Sequence, residues 1–299
     1  MRIDQALALA VSQLGKNVPD QPLGVSKSPH LDAQLLLAHV LECSRTWLFT
    51  WGDREVDEEA FERFMVLVSR RCQGEPVAWL LGYREFFGLR LEVSPHTLIP
   101  RPDTETLVEQ TLAVWPAPTA RVLDLGTGSG AIALALAHER PDWQVSGIDI
   151  IEEAVSLARR NAVSLKITNV QFEQGDFFTA LDPTARFDLI VSNPPYIDES
   201  DVHLGQGDVR FEPRSALVAG QGGMADLLTL ITTARAFLAT GGWLLLEHGY
   251  QQGVAVRDAL TASGYADVAT CLDLGGRDRV SLGRWNGKDE RVSEGGLLS

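Results

Sequence analysis

The chain has 299 residues, 45% of them hydrophobic, and a formal net charge of −14. That length allows two domains and a large core, and the apolar share excludes a disordered chain. The acidic excess runs through both the first 75 residues and the remainder. It leaves no broad basic footprint for a phosphate backbone and favours a protein or small-molecule substrate over long nucleic acid.

At the N-terminus, Ile3, Leu7, Ala10, Val11 and Leu14 recur at helical spacing, where a signal peptide would carry an unbroken apolar core. No stretch approaches the roughly 18 apolar residues of a membrane span. A cytoplasmic protein is the default expectation, and a monomer the default state. Pro19, Pro22, Gly24 and Pro29 mark a loop. Leu31 to Leu41 concentrates Leu35, Leu36, Leu37, Val40 and Leu41. Asp57 to Arg71 opens on acids and closes on Arg70 and Arg71, which suits a helix dipole. Its apolar stripe, Phe61, Phe64, Met65 and Val68, predicts core packing. Residues 1–75 are therefore expected to form a helical domain. Tyr83 to Val93 alternates around Gly88 like a β-hairpin, and Pro95, Pro100 and Pro102 follow, so a hairpin linker is expected over 76–102.

From residue 103 strand and helix patterns alternate. Strands are expected over 121–125, 144–148, 170–173, 187–192 and 243–247. Helices are expected over 131–139, 152–162, 227–238 and 254–263, and a final strand pair over 266–272 and 279–285. This alternation predicts an α/β fold around a mostly parallel sheet, with ligands beyond the carboxyl ends of the strands. The domain is expected to span 103–285, and the polar tail 286–299 to be disordered. Cys43, Cys72 and Cys271 are scattered, with no CxxC or Cys/His cluster, so reduced and mostly buried thiols are expected and no metal site.

Val122 to Leu125 runs straight into Gly126-Thr127-Gly128-Ser129-Gly130. Glycines there permit a tight turn and close approach to a ligand. The pattern also fits a dinucleotide site, but Asp124 before the loop would repel a pyrophosphate and welcome an ammonium group. Asp149 ends the next strand, where a carboxylate accepts from ribose hydroxyls. Asp176-Phe177 follows the strand after that, offering an acid to an adenine amine and a ring to its face. Acids at three successive strand ends point to a cationic nucleoside with an amino-acid tail, S-adenosylmethionine.

Asn193-Pro194-Pro195-Tyr196 closes the apolar run Phe187 to Ser192. Two prolines without N–H groups cannot continue a ladder. The strand end therefore presents an amide, rigid carbonyls and an aromatic ring, a set suited to a planar NH2 group. An amide nitrogen is a poor nucleophile, so orientation is the expected device. The Asn193 side-chain oxygen and the Pro194 carbonyl would accept the two amide protons, and Tyr196 would pack on the substrate side chain. His248 after Glu247 has no task in such a site and reads as structural. Arg101 is a candidate contact for the cofactor or for Gly207 to Pro213.

Leu98 to Glu105, Val191 to Ile197 and Gln206 to Pro213 resemble the PrmC/HemK family of peptide chain release factor glutamine N5-methyltransferases. The resemblance runs from the helical region to Arg284-Trp285. It implies a seven-strand Rossmann-like methyltransferase sheet behind an N-terminal helical domain that docks the protein substrate. It further implies that Gly126, Thr127, Gly128, Ser129, Gly130, Asp149, Phe177 and Asn193 bind S-adenosylmethionine. Asn193, Pro194, Pro195 and Tyr196 would form the glutamine site, with Asn193, Pro194 and Tyr196 the catalytic set and release factors the partners. The loop between Asn17 and Pro29 and the tail from Asn286 depart from the family's pattern. Two rivals remain: an adenine N6-methyltransferase acting on nucleic acid, which shares the Asn-Pro-Pro-Tyr chemistry and would stack Tyr196 on a flipped base, and a degenerate fold used only for docking. A nucleotide-dependent dehydrogenase is disfavoured by Asp124.

Overall fold

In the computed structural model of the protein, residues 1–15, 26 and 28–287 are described. Most of the loop after Asn17 and of the tail after Asn286 lies outside them. No helix of the described residues is long and apolar enough to cross a membrane. The chain divides into two units. The first comprises residues 1–84, 93–95 and 201–212, and the second 85–92, 96–200 and 213–299.

The first unit contains helices Ile3–Leu14, Pro29–Val40, Arg45–Thr50, Glu58–Cys72 and Val77–Leu81. Two starts are capped as their sequences prescribe: Asp57 accepts from the Ala60 N–H at 2.8 Å and Ser44 from the Trp47 N–H at 3.1 Å. Ile3, Leu14, Leu36, Leu37, Phe64 and Val68 form the buried core, with Phe61 and Met65 packed half-buried against it. The periodicity omits one thing. Arg71, in the last turn of its helix, turns inward to ion-pair with Asp32 and with Asp208, both at 2.8 Å. Residues 201–212, two short 3-10 turns, thereby belong to this helical unit rather than to the sheet.

Nine strands follow in chain order: β1 Tyr83–Phe86, β2 Leu89–Glu92, β3 Arg121–Leu125, β4 Gln144–Asp149, β5 Val170–Gln174, β6 Phe187–Ser192, β7 Leu238–Glu247, β8 Ala266–Leu272 and β9 Asp278–Arg284. β1 and β2 form the expected hairpin. The remaining seven form one sheet in the order β5-β4-β3-β6-β7-β9-β8. β5, β4, β3, β6 and β7 are parallel to one another, and β9 runs antiparallel to both β7 and β8. Successive side chains of a strand point to opposite faces. Val122, Leu189, Val191 and Leu245 accordingly enter one core with helix Ala131–Glu139, while Leu123, Leu125, Ile190 and Leu246 enter another with helices Ala225–Ala234 and Gly253–Ala262. Both faces are covered, which is why these strands read as continuous apolar runs.

The helix expected over 152–162 runs on to Leu165, and a larger difference lies before β7. The helix predicted over 227–238 ends at Ala234, and β7 begins at Leu238. Gly241 adopts φ +87°, and the register slips across the pair, from Leu238 opposite Phe187 to Trp243 opposite Leu189. A Cβ on Gly242 would lie within about 3 Å of the Asp188 and Ala239 carbonyl oxygens. The glycines that read as a break before a short strand are a bulge inside a longer one. Helix Glu105–Val114, with no clean stripe in the sequence, is a further addition.

Candidate active site

The parallel sheet reverses its order between β3 and β6, and a crevice opens beyond their carboxyl ends. Here a cavity of about 360 Å3 is lined by the glycine loop, the ends of β4 and β6, and the segment from His96 to Thr104.

The loop after β3 takes its shape from its glycines: Gly126, Gly128 and Gly130 sit at φ +71°, +55° and +83°. Gly126, Thr127, Gly128 and Ser129 line the cavity; Gly130 does not. A Cβ on Gly130 would meet Leu134, Ala158 and Phe172 at 3.0–3.1 Å, so this glycine permits the helix to close on the sheet. Asp124 also stays outside the cavity. It is fully buried, and its Oδ2 accepts from the Thr127 hydroxyl at 2.6 Å and the Ala133 N–H at 3.2 Å. The expected attraction for an ammonium group is corrected: this carboxyl staples the loop to the first turn of its helix.

Burial pushes Asp124 up to about 7, against the two hydrogen bonds and with a further push from Asp149. The sign follows from linkage. Below pH 4 the group is neutral in both states; between about 4 and 7 the unfolded chain releases a proton that the folded chain retains, and stability falls as pH rises. Urea unfolding of wild type and Asp124→Asn at pH 5 and pH 8 is expected to show this. The wild type should lose ground to the variant on going to pH 8 by a few kcal/mol, at about 1.4 per pKa unit. A difference independent of pH would remove Asp124 as the cause.

Asp149, at the end of β4, lines the cavity. Its Oδ2 accepts from the Gly128 N–H at 2.8 Å and its Oδ1 from the Ile151 N–H at 3.0 Å. Burial raises its pKa, opposed by these backbone donors. Each carboxylate oxygen has a second lone pair, so the anchored group can still accept from a diol. Asp176, Phe177 and Asp226 line the same cavity, so three carboxylates and, with Phe86, two phenyl rings border it.

β6 ends with Ser192 donating to the Leu125 carbonyl at 2.6 Å, which joins the two strand ends. Asn193 and Pro195 line the cavity; Pro194 and Tyr196 do not. Pro194 is buried. The Tyr196 hydroxyl donates to Glu247 Oε1 at 3.1 Å, and its ring packs on the sheet core. Burial raises the Tyr196 pKa, and Glu247 adds to the rise, so the phenol stays protonated. Glu247 is itself buried and pushed up to about 7 by that burial, opposed by the hydrogen bond from Thr104, by Arg279 and by the bond from Tyr196. His248 is not among the residues that line the cavity. Its ring nitrogens contact the Gly249 carbonyl at 2.9 Å and Ser281 Oγ at 2.7 Å, the structural role expected of it. Cys43, Cys72 and Cys271 form no disulfide among the described residues and are half-buried rather than buried.

The sequence of the protein family described as methyltransferase domain matches residues 117–260, and that of the PrmC N-terminal domain matches residues 5–82. A release factor glutamine methyltransferase of Salmonella typhimurium is 56% identical over 260 residues, 87% of this chain and 94% of that one. One of Vibrio cholerae is 52% identical over 289 residues, 97% of this chain and 98% of that one. The chain belongs to the release factor glutamine methyltransferase family. A solved methyltransferase from Pyrococcus furiosus, 22% identical, superposes with a TM-score of 0.52 over 74% of this chain and 98% of that one, a likeness of fold.

For a release factor glutamine methyltransferase the cavity fits S-adenosylmethionine. The positive-φ loop allows close backbone approach, Asp149 has lone pairs for ribose hydroxyls, Phe177 offers a ring, and the three carboxylates suit a sulfonium cation. Two residues of the site escape a reading of the sequence: Asp226 resembles an ordinary acid in a helix's first turn and Thr104 an ordinary N-cap. Glu247 is legible as a strand-end acid, but its partner Tyr196 is not.

Proposed function

We propose that this protein transfers a methyl group from S-adenosylmethionine to the side-chain amide nitrogen, N5, of the glutamine in the GGQ motif of peptide chain release factors. The observation that carries the reading is Asn193: an uncharged amide on the wall of a cavity that also carries Asp149, Asp176 and Asp226, at the end of β6 where a proline pair follows it. Bound there, the cofactor supplies an electrophilic methyl on a sulfonium. The chain's own residues orient the nucleophile. Asn193 Oδ1 accepts one proton of the glutamine NH2 and the Pro194 carbonyl the other, which aims the nitrogen lone pair; once the nitrogen carries the methyl group, one of these two protons leaves it for solvent. Near-attack positioning of this kind can contribute roughly 7–11 kcal/mol. Acceptors aimed at the charge developing on nitrogen stabilise the transition state further. A carboxylic acid or ester would leave the acceptors unpaired, and that cost selects for an amide. Gly126, Thr127, Gly128, Ser129, Asp149 and Phe177 hold the cofactor, with Gly130 shaping the loop. A substrate of this class puts the reaction in the cytoplasm, with the enzyme acting as a monomer.

The test is mass spectrometry of a release factor after incubation with the protein and S-adenosylmethionine, beside a DNA duplex as competing substrate. The mass of one methylene is expected on the GGQ glutamine alone. An unmodified release factor, or methyl on DNA adenine, would overturn the reading.

A further inference from the structure

The Asn193 side chain has two faces of opposite character. Its oxygen accepts hydrogen bonds and its NH2 donates them, and a half-turn about the terminal torsion exchanges the two. Only one orientation can receive a substrate NH2; the other would set two donors against each other. Something in the protein must therefore fix the amide.

The partner of Asn193 is Thr104. The Asn193 Nδ2–H donates to Thr104 Oγ1 at 3.2 Å. A hydroxyl has a single hydrogen, so its direction depends on what else it touches. The Thr104 hydroxyl also lies against the Glu247 carboxyl, whose pKa it lowers. Glu247 is 1% exposed, and its Oε1 also accepts from Tyr196. Its Oε2 has no hydrogen-bond partner among the described residues. A carboxylate is an acceptor at both oxygens, and a carboxyl group protonated at the unpartnered Oε2 still accepts at Oε1. In either state Glu247 offers the Thr104 hydroxyl an acceptor, and a hydroxyl hydrogen turned toward it is turned away from Asn193. The hydroxyl's lone pairs are left for Asn193, which must present NH2 to Thr104 and leave Oδ1 for the cavity.

We propose that Thr104 is the positioning residue of this active site, fixing the orientation of the Asn193 amide by relaying the acceptor character of Glu247. The inference rests on the methylation of an NH2 group proposed above. It also gives a physical role to the proline-rich segment at 98–105. Thr104 closes the 3-10 turn Pro102–Thr104, with its N–H on the Arg101 carbonyl at 3.1 Å. Asp103 beside it ion-pairs with Arg279 at 3.3 Å, and Arg279 is held in turn by Asp273 at 3.0 Å. The turn is pinned beside the end of β7, where Glu247 stands. Two prolines and an ion pair thus hold one hydroxyl between a buried carboxyl and the reactive strand end.

Thr104→Val keeps the shape and deletes the hydroxyl; Thr104→Ser keeps the hydroxyl. On a release factor substrate, Thr104→Val is expected to lower kcat about tenfold, the size of one net hydrogen bond. KM for the release factor and Kd for S-adenosylmethionine should stay within twofold, and Thr104→Ser should recover most of the turnover. A second readout needs no turnover. The side-chain NH2 resonance of Asn193 in the 15N-labelled protein, assigned by its loss in Asn193→Asp, is expected to move in Thr104→Val and to stay near its wild-type position in Thr104→Ser. Unchanged kcat in Thr104→Val, equal losses in both variants, or an unmoved resonance would each overturn the inference. A wild-type protein that leaves release factors unmodified overturns the proposed function instead, and the resonance still decides whether Thr104 holds Asn193.

Discussion

Asn193→Ala is expected to lower turnover on a release factor by on the order of 10²–10³-fold, the loss seen when one aligned polar group is removed from a reacting centre. The dissociation constant for S-adenosylmethionine should change far less. The reasoning rests on where Asn193 sits. It lines the cavity, and its side chain's hydrogen bond among the described residues runs through Nδ2 to Thr104, leaving Oδ1 without a protein partner there. The residues proposed to hold the cofactor, the Asp149 carboxylate and the glycine loop, are on other strand ends and are hydrogen-bonded to each other rather than to Asn193. Truncation to alanine leaves a substrate NH2 with one acceptor fewer, so the lone pair is no longer aimed and the hydrogen bond goes unmade. Asn193→Asp separates two explanations. It restores an acceptor for the substrate, but it can no longer donate to Thr104 and it adds a charge. If aiming through a fixed amide is the source of rate, the aspartate variant should remain impaired at saturating substrate. Single-turnover methylation with cofactor binding measured alongside decides the matter, and an alanine variant within a few-fold of wild type would remove Asn193 from the mechanism.

How far the sequence alone leads depends on the kind of residue. The sheet is legible because strands buried on both faces must be apolar throughout, as Leu189-Ile190-Val191 is, and because Gly126 and Pro194 end strands by backbone chemistry that no context can override. Asp149 and Phe177 are legible by counting strand ends, and both line the cavity. Asp124 shows where counting fails. It occupies a strand end like the others, but its side chain points under the loop, where Thr127 and the Ala133 N–H claim it. Direction along a strand alternates with each residue, and the turn that follows decides which carboxylate emerges. Tyr196 teaches the same lesson in reverse. An aromatic after two prolines suggests a platform for substrate, whereas its hydroxyl finds Glu247 some fifty residues later. Thr104, Glu247 and Asn193 lie on three separate elements, and nothing in the local pattern of any one names the other two. Long-range polar partners are the part of a site that periodicity cannot supply.

The same limit governs the second large effect, on the stability of the helical unit. Arg71→Met is expected to destabilise that unit by about 3–5 kcal/mol, the cost of stranding a buried charge. At the end of its helix Arg71 reads as a solvated cation suited to the dipole, but its side chain is only 7% exposed. It donates to Asp32, whose side chain is 11% exposed, to Asp208, and to the carbonyl oxygens of Gly74 at 3.3 Å and Glu75 at 3.0 Å. Removing the guanidinium leaves the Asp32 carboxylate buried beside no cation and two carbonyls without a donor. Desolvation, which disfavours the charged arginine, is overcome by the two carboxylates, and its pKa is raised. The two acids are not equivalent. Asp208 is 36% exposed, so Asp208→Asn should cost no more than about 1 kcal/mol, the range of surface pairs. Arg71→Lys keeps the charge but loses the planar fork that reaches two carboxylates at once, and should fall between these limits. A double substitution, Arg71→Met with Asp32→Leu, tests the cause. If the penalty of the single variant is an uncompensated buried charge, removing that charge as well should recover much of the loss in the first urea transition. If the double variant is as unstable as the sum of its parts, the loss is one of packing, and the ion pair contributes nothing of its own.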